Sequence, residues 1–162
     1  MRPRRSGDTG SMTITAKIET ASPQDVPQIV ALVRAAYTPY ISRIGREPAP
    51  MTADYTTAVD EGRVLVARID GGIAGVLVTE AHSDHLLIEN VAVAPQAQGL
   101  GIGAALLDRA DDEARSLKLP ETRLYTNAKM TENLEYYPRR GYRETGRRRE
   151  NGFDRVYFVR PV

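Results

Sequence analysis

Apolar and polar residues alternate in several short runs along this chain, which is the pattern of half-buried β-strands. Three such runs are TITAKIE at 13–19, DHLLIENVAVA at 84–94 and TRLYTN at 122–127. Two more pairs of runs flank Asp70-Gly71-Gly72 and Asn151-Gly152, which are typical of tight hairpin turns. The pattern therefore predicts three separate strands and two β-hairpins.

Other segments carry apolar residues at helical spacing, and they cover 22–41, 51–62, 102–117 and 131–140. Pro138 predicts a kink or an interruption in the last helix. The resulting order, β-α-α-β-β-β-α-β-α-β-β, mixes hairpins with crossovers and so predicts an α/β fold with a mixed sheet. The buried face of the first helix is expected to contain Val26, Ile29, Val30, Val33 and Tyr37.

Composition narrows the possible classes of function. The 162 residues carry a net charge of +1, which gives no bulk attraction to nucleic acid or to an acidic membrane. No apolar run approaches the roughly 18 residues of a membrane span. The absence of cysteine excludes a thiolate metal site and a cysteinyl acyl-enzyme, and it fits a cytoplasmic location. We expect a disordered basic extension at 1–11 and one domain at 12–162.

Three glycines occupy alternate positions at the start of the third predicted helix, although glycine is a poor helix former. Glycine lets a ligand approach the backbone closely, and the first turn of a helix has unpaired N–H groups that attract phosphate. The segment therefore predicts a phosphate or pyrophosphate cradle. The plain alternative is a tight turn in which Gly99, Gly101 and Gly103 serve only close packing.

Two nucleotide-binding motifs match this loop poorly. A P-loop requires a lysine and a hydroxyl residue after its last glycine, and neither follows Gly103. A dinucleotide fingerprint is formally matched by Gly99, Gly101 and Ala104, but residues 94–98 separate it from the preceding strand. Too little chain follows for a doubly wound sheet.

Two sequence blocks resemble the GCN5-related N-acetyltransferase (GNAT) family. The block Gln98-Gly99-Leu100-Gly101-Ile102-Gly103 follows a V-x-V-x-P strand and resembles the family signature Q/R-x-x-G-x-G/A. The block Tyr137-Pro138-Arg139-Arg140-Gly141-Tyr142 resembles the family's Y-x-x-x-G-F/Y. The resemblance covers residues 12–162 and implies the GNAT fold, a mostly antiparallel mixed sheet flanked by helices. It also implies an acetyl-CoA-dependent N-acetyltransferase.

The resemblance implies that an amine attacks the acetyl thioester directly in a ternary complex. The main chain of Val91, Ala92 and Val93 would polarise the acetyl carbonyl and pair with the pantetheine arm. The pyrophosphate of acetyl-CoA would lie on the loop residues Gln98, Gly99, Leu100, Gly101, Ile102, Gly103 and Ala104.

Tyr137 is the acid that the resemblance implies for the leaving thiolate. Asn133 precedes it by one helical turn and shares its face, whereas Tyr136 does not. Many members of the family carry an asparagine seven residues before the tyrosine, where this chain has Met130. The role of Asn133 toward the pantetheine or the thiol therefore stays open.

Glu89 is the candidate general base, because an alkylamine with a pKa of about 10.4 is mostly charged at neutral pH. It is an acid in the otherwise apolar strand LLIENVAV, two residues before Val91, and a period of two places both on one face. The plain alternative is a solvated carboxylate at the rim, with a water chain as the base.

The acceptor is not defined by the sequence and is either a small molecule or a protein. Tyr37, Tyr40, Arg43 and Arg46 are candidates for a pocket that suits an amine next to a carboxylate. His82 and His85 have no third ligand, so we expect no metal. The alternative function is a non-catalytic acyl-CoA-binding regulatory module, and the resemblance allows a homodimer.

Overall fold

The computed structural model describes residues 15–162, and its elements follow the predicted order except for one further short helix, at 41–44, between the first two predicted helices. The strands are β1 (Lys17–Thr20), β2 (Val64–Ile69), β3 (Gly72–Ala81), β4 (Leu86–Val93), β5 (Glu121–Asn127), β6 (Arg143–Glu150) and β7 (Phe153–Pro161). The helices are α1 (Val26–Tyr37), α2 (Ile41–Ile44), α3 (Tyr55–Asp60), α4 (Ile102–Ser116) and α5 (Thr131–Arg139). The predicted extension at 1–11 and the start of the first predicted strand lie outside the described residues.

The strands form a seven-stranded sheet in the order β1-β2-β3-β4-β5-β7-β6. Every neighbouring pair is antiparallel except β4 with β5, which is parallel. This parallel ladder is short, since it runs only from Leu86 opposite Thr122 to Ile88 opposite Leu124. The predicted mixed, mostly antiparallel sheet is confirmed, and the sheet opens between the carboxyl ends of β4 and β5.

Helices α1 and α4 cover opposite faces of β3 and β4. Asn90 of β4 bonds Tyr37 of α1. Val93 lies an odd number of positions further along β4, and so it points to the other face. Its cross-strand neighbour Gly75 faces Ile102 of α4. The core fills both layers, and its largest fully buried side chains include Phe158, Leu77, Leu86, Leu106 and Leu107.

The predicted buried face of α1 is wrong at one position. Ile29 and Val33 are buried, but Val30 is 36% exposed and Leu32 is buried in its place. Val30 and Leu32 flank the Ile29–Val33 stripe on opposite sides of the helix. Val30 or Leu32 could each complete an apolar face with this stripe. In the structure the side of α1 that carries Leu32 packs against the sheet.

Helix α5 continues through Pro138 to Arg139, so the predicted interruption does not occur. Pro138 lies in the last turn, where the missing N–H removes one helical hydrogen bond and no further turn has to follow. Both predicted hairpin turns are confirmed, with positive φ at Asp70 and Gly71 and at Asn151 and Gly152.

Candidate active site

The opening in the sheet coincides with a β-bulge in β4. The register between β3 and β4 shifts so that Val78 lies opposite Asn90 while Thr79 lies opposite Ile88, which leaves Glu89 as the extra residue. A bulge bends its strand and increases the local twist. Since the ladder to β5 ends at Ile88, the bulge accounts for the divergence of the two strands. Glu89 therefore has no partner in β3, whereas Val91 lies opposite Leu77.

The glycine loop leads from β4 into α4 with two residues in the left-handed region. Gly99 has φ +84° and Gly101, the N-cap of α4, has φ +85°. A Cβ at either position would meet open space, so the backbone conformation itself requires glycine. At Gly103 the reason is close approach, because a Cβ there would lie 3.3 Å from the Tyr136 hydroxyl.

The first turn of α4 presents free backbone donors. The first helical hydrogen bond runs from the Ala105 N–H to the Gly101 carbonyl at 3.0 Å. The N–H groups of Ile102, Gly103 and Ala104 therefore have no acceptor within the helix. The first turn carries no acidic side chain, and α4 is 15 residues long. This geometry fits a phosphate or pyrophosphate group.

A cavity of about 220 Å³ lies at the opening of the sheet. It takes its lining from both faces, with Tyr37 of α1 on one and Tyr137 of α5 on the other. The segment 48–55, the strands β3, β4, β5 and β7, and the start of α5 contribute the rest. The charged residues of the lining, within 15–162, are Glu89 and Arg155.

Glu89 is held by an ion pair. Its Oε1 accepts a hydrogen bond from Arg63 Nη1 at 2.7 Å, and its side chain is 34% exposed. Arg63 also donates to the Thr79 carbonyl at 3.2 Å and to Glu61 at 2.8 Å. The guanidinium therefore fixes the Glu89 carboxylate at the edge of the cavity, where it can take up a proton directly or through water.

A buried chain of hydrogen bonds forms one wall of the cavity. The Tyr37 hydroxyl donates to Asn90 Oδ1 at 2.7 Å, and Asn90 Nδ2 donates to the Tyr55 hydroxyl at 3.0 Å. Tyr55 in turn donates to the Pro50 carbonyl at 2.6 Å. Burial raises the pKa of both tyrosines above the ordinary value, so both stay neutral donors. Asn90 is not among the predicted residues, although a polar residue in an apolar strand is itself a signal.

Tyr137 and Asn133 both line the cavity, so the predicted shared face of α5 is confirmed. Tyr137 is 7% exposed and packs edge-on against Tyr136 and Tyr142. Burial raises the pKa of Tyr137 above its ordinary value, and the neighbouring tyrosines act in the same direction. Asn133 Nδ2 donates to Thr126 Oγ1 at 3.0 Å, which orients the amide beside Tyr137.

The four residues proposed for acceptor recognition are only partly brought together. Tyr37 lines the cavity, whereas Tyr40, Arg43 and Arg46 are not part of its lining. Arg43 pairs with Glu132 at 2.6 Å and lies over the ring of Tyr40. Arg46 lies over the Phe153 ring instead, 4.1 Å from its centre. Sequence reasoning missed Arg155, because an arginine in an alternating strand has the pattern of a solvated residue.

His82 and His85 stack on each other with ring centres 4.6 Å apart, and they contact Glu80 and Asp84 respectively. Within residues 15–162 no group of three or more His, Cys, Asp or Glu side chains is arranged to hold a metal ion. No helix of that part is long and apolar enough to cross a membrane.

The opened mixed sheet with a glycine-rich helix start beside the opening is the architecture that the GNAT resemblance implied. The family model of the acetyltransferase (GNAT) domain matches residues 60–144, which is more than half of the chain. The chain therefore belongs to the GNAT acetyltransferase family.

Individual relatives agree with this assignment. The chain is 30% identical over 93 residues to an IAA acetyltransferase of Azospirillum brasilense, a match that covers 56% of this chain and 61% of that protein. The chain thus spans about three fifths of that curated relative.

Solved structures share the fold. One is PaiA N-acetyltransferase from Thermoplasma acidophilum in complex with coenzyme A, with a TM-score of 0.77, 14% identity, and coverage of 92% of this chain and 100% of that one. Another is the ribosomal-protein-S18-alanine N-acetyltransferase from Escherichia coli. Its TM-score is 0.72 and its identity 21%, and the match covers 91% of this chain and 94% of that one. Likenesses at these identities show the fold, and the predicted fold class is confirmed.

Proposed function

We propose that this protein is a cytoplasmic N-acetyltransferase that transfers the acetyl group of acetyl-CoA to an amine. The observation that carries the proposal is the cavity at the opening between β4 and β5, which is lined by Tyr137 and Glu89 and adjoins the strand that leads into the glycine loop. Family membership supports it. The solved structure of the Thermoplasma protein contains coenzyme A, which supports acetyl-CoA as the donor here.

The donor would be held mainly by main-chain groups. The pyrophosphate would accept hydrogen bonds from the loop that runs from Gln98 to Ala104. Beyond Ile88 the edge of β4 toward β5 has no strand partner, and the pantetheine arm would pair with Val91, Ala92 and Val93 as an added strand. Main-chain N–H groups of this edge would then polarise the acetyl carbonyl. Asn133 would orient the thiol end.

The reaction would proceed by direct attack in a ternary complex. The neutral amine nitrogen forms a bond to the carbonyl carbon, and the bond between that carbon and sulfur breaks. Glu89, directly or through water, accepts the proton that the amine loses. Tyr137 donates its hydroxyl proton to the departing thiolate, so that the products are the N-acetylated amine and coenzyme A. The proton on Glu89 then passes through solvent to the Tyr137 phenolate, which restores both groups.

The first experiment is a thermal-unfolding scan with acetyl-CoA, coenzyme A, NAD or ATP, followed by a thiol-release assay with an amine panel. A ligand at about 100 times its dissociation constant adds roughly 2.7 kcal/mol. For a chain of this length we expect a shift of about 5–10 °C with acetyl-CoA and coenzyme A alone. A shift with NAD or ATP instead would contradict the proposal. Binding of acetyl-CoA without turnover of any amine would favour a regulatory module.

The substitution Gly101→Ala tests the phosphate cradle. An L side chain at φ +85° costs about 1–2 kcal/mol, which the loop relieves by moving its N–H groups away from the phosphates. We therefore expect the affinity for acetyl-CoA to fall about tenfold, measured by calorimetry. Gly146→Ala in β6 is the matched control, because a Cβ there meets open space and φ is not positive. Equal affinities of the two variants would argue against the cradle.

A further inference from the structure

The cavity combines one negative and one positive side chain. Glu89 belongs to β4 and Arg155 to β7, and β5 lies between these two strands. Neighbouring strands are about 4.8 Å apart, so the two backbones are separated by about 10 Å or more. A molecule between the two side chains therefore contacts an acid at one end and a guanidinium at the other.

Arg155 is packed as a rigid binding group. Its side chain is only 11% exposed, and its guanidinium lies over the Tyr125 ring with 4.4 Å to the ring centre. Among the residues that the structure describes, the one hydrogen bond of its guanidinium is from Nη1 to Glu150 Oε1 at 3.2 Å. A guanidinium has five N–H donors in a planar fork. Arg155 thus keeps donors available for a ligand of the cavity.

The nearby carboxylate does not neutralise this end of the site. Glu150 is shared, since it also accepts a hydrogen bond from the Tyr157 hydroxyl and lies 3.6 Å from Arg148 Nε. Two guanidinium groups thus face a single carboxylate, which leaves a net positive charge beside the cavity. A planar anion such as a carboxylate is the ligand that an arginine fork fits best.

The volume limits the size of the acceptor. At about 220 Å³ the cavity is smaller than the roughly 300–1,000 Å³ of sites for drug-sized ligands. The acetyl end of the donor would occupy part of the same space beside Tyr137. The remaining room suits a small molecule whose amine and anionic group are close together.

We propose that Arg155 is the specificity-determining residue of the acceptor site and binds the carboxylate of a small amino acid, with the amine directed toward Glu89. This inference rests on the proposed acetyltransferase function. It separates a free amino acid from a protein N-terminus or a lysine side chain within a protein, neither of which carries a carboxylate next to its amine.

The test compares matched acceptors with the chain of 162 residues and acetyl-CoA. The panel contains the proteinogenic L-amino acids, their carboxamides, the amines that lack the carboxyl group, and a peptide with a free N-terminus. Release of coenzyme A is followed with a thiol reagent, which has no background here because the chain contains no cysteine. For at least one amino acid we expect kcat/KM to exceed that of its carboxamide about 10- to 100-fold, mainly through a lower KM.

Substitution of the arginine tests its role directly. Arg155→Gln should raise the KM of the preferred amino acid about 10- to 100-fold and change the KM of its carboxamide less than about threefold. Arg155→Lys should keep part of the preference for the amino acid over its carboxamide, because lysine retains the positive charge but lacks the planar fork of N–H donors. Arg149→Gln is the matched control, since Arg149 is an exposed arginine of the neighbouring strand that pairs with Asp154. An unchanged acetyl-CoA thermal shift verifies that each variant is folded.

The outcomes separate the two levels of the proposal. Turnover of amines, carboxamides or the peptide at rates equal to the amino acids would overturn the role of Arg155 and leave the acetyltransferase function standing. An equal loss for amino acid and carboxamide in Arg155→Gln would also overturn it. No acetyl-CoA shift and no thiol release with any acceptor would overturn the proposed function, and this inference with it.

Discussion

The substitution Tyr137→Phe is expected to lower kcat about 10²- to 10⁴-fold, which is the usual contribution of a positioned acid or base. Phenylalanine keeps the ring that packs against Tyr136 and Tyr142, so the core stays intact and only the hydroxyl is lost. The affinity for acetyl-CoA should stay within about twofold, because the hydroxyl acts on the departing thiolate and not on the bound substrate. Steady-state thiol release and calorimetry measure the two quantities.

Tyr136→Phe is the matched control, because Tyr136 is the adjacent tyrosine of α5 and is not part of the cavity lining. Its turnover should stay near that of the parent chain. An unchanged kcat in Tyr137→Phe would remove Tyr137 from the mechanism.

The pH dependence of the same enzyme offers a second check on Tyr137. Burial raises the pKa of this hydroxyl above 10, so the proton that it donates is present throughout the range from pH 7 to 9. Tyr137 acts as an acid only in its protonated form. We therefore expect its ionisation to reduce activity only above pH 10. A fall in kcat between pH 7 and 9 that Tyr137→Phe abolishes would contradict this assignment.

The substitution Glu89→Gln is expected to lower kcat/KM at pH 7 about 10²- to 10⁴-fold. The pKa of an alkylamine, near 10.4, is roughly 3.4 units above pH 7. Removing the proton from the ammonium at pH 7 therefore costs about 4.6 kcal/mol. With Glu89 present the site can deprotonate a bound ammonium. Without it the variant depends on free neutral amine. Its kcat/KM should therefore rise about tenfold per pH unit between pH 7 and 9, a steeper rise than that of the parent chain.

Glu61→Gln is the control for this experiment. Both carboxylates bind Arg63, but only Glu89 lines the cavity. Glu61→Gln should therefore leave the pH profile unchanged. Parallel profiles of Glu89→Gln and the parent chain would assign the deprotonation to solvent or to a water chain.

Much of the fold follows from local pattern. Helix α4 buries Ile102, Leu106, Leu107, Ala110 and Ala114, the inner face that its spacing predicts. Both hairpin turns are confirmed because Asp-Gly and Asn-Gly carry their own backbone preference. Such features depend on residues close in sequence, and a single chain is enough to predict them.

The missed features depend on contacts between distant residues. The letters of LLIENVAV alternate regularly through Glu89, and the bulge becomes visible only in the register with β3. Arg155 is buried because Tyr125, 30 positions away in the sequence, lies beneath its guanidinium. Leu32 instead of Val30 faces the core because of the side on which the sheet packs. The glycine loop was predictable because its conformation is local, whereas the partners of the acceptor site were not.

The separation of the glycine loop from the cavity bears on how such proteins diverge. The cavity lining includes no residue of 94–104, so the glycine loop and the acceptor side share no side chain. Mutations around Tyr37, Tyr55 and Arg155 can alter which acceptor is used while the donor half is inherited unchanged. The glycine loop and the acceptor side of the cavity are therefore free to evolve at separate rates. A duplicated copy can acquire a new acceptor without changes in the loop that binds the donor.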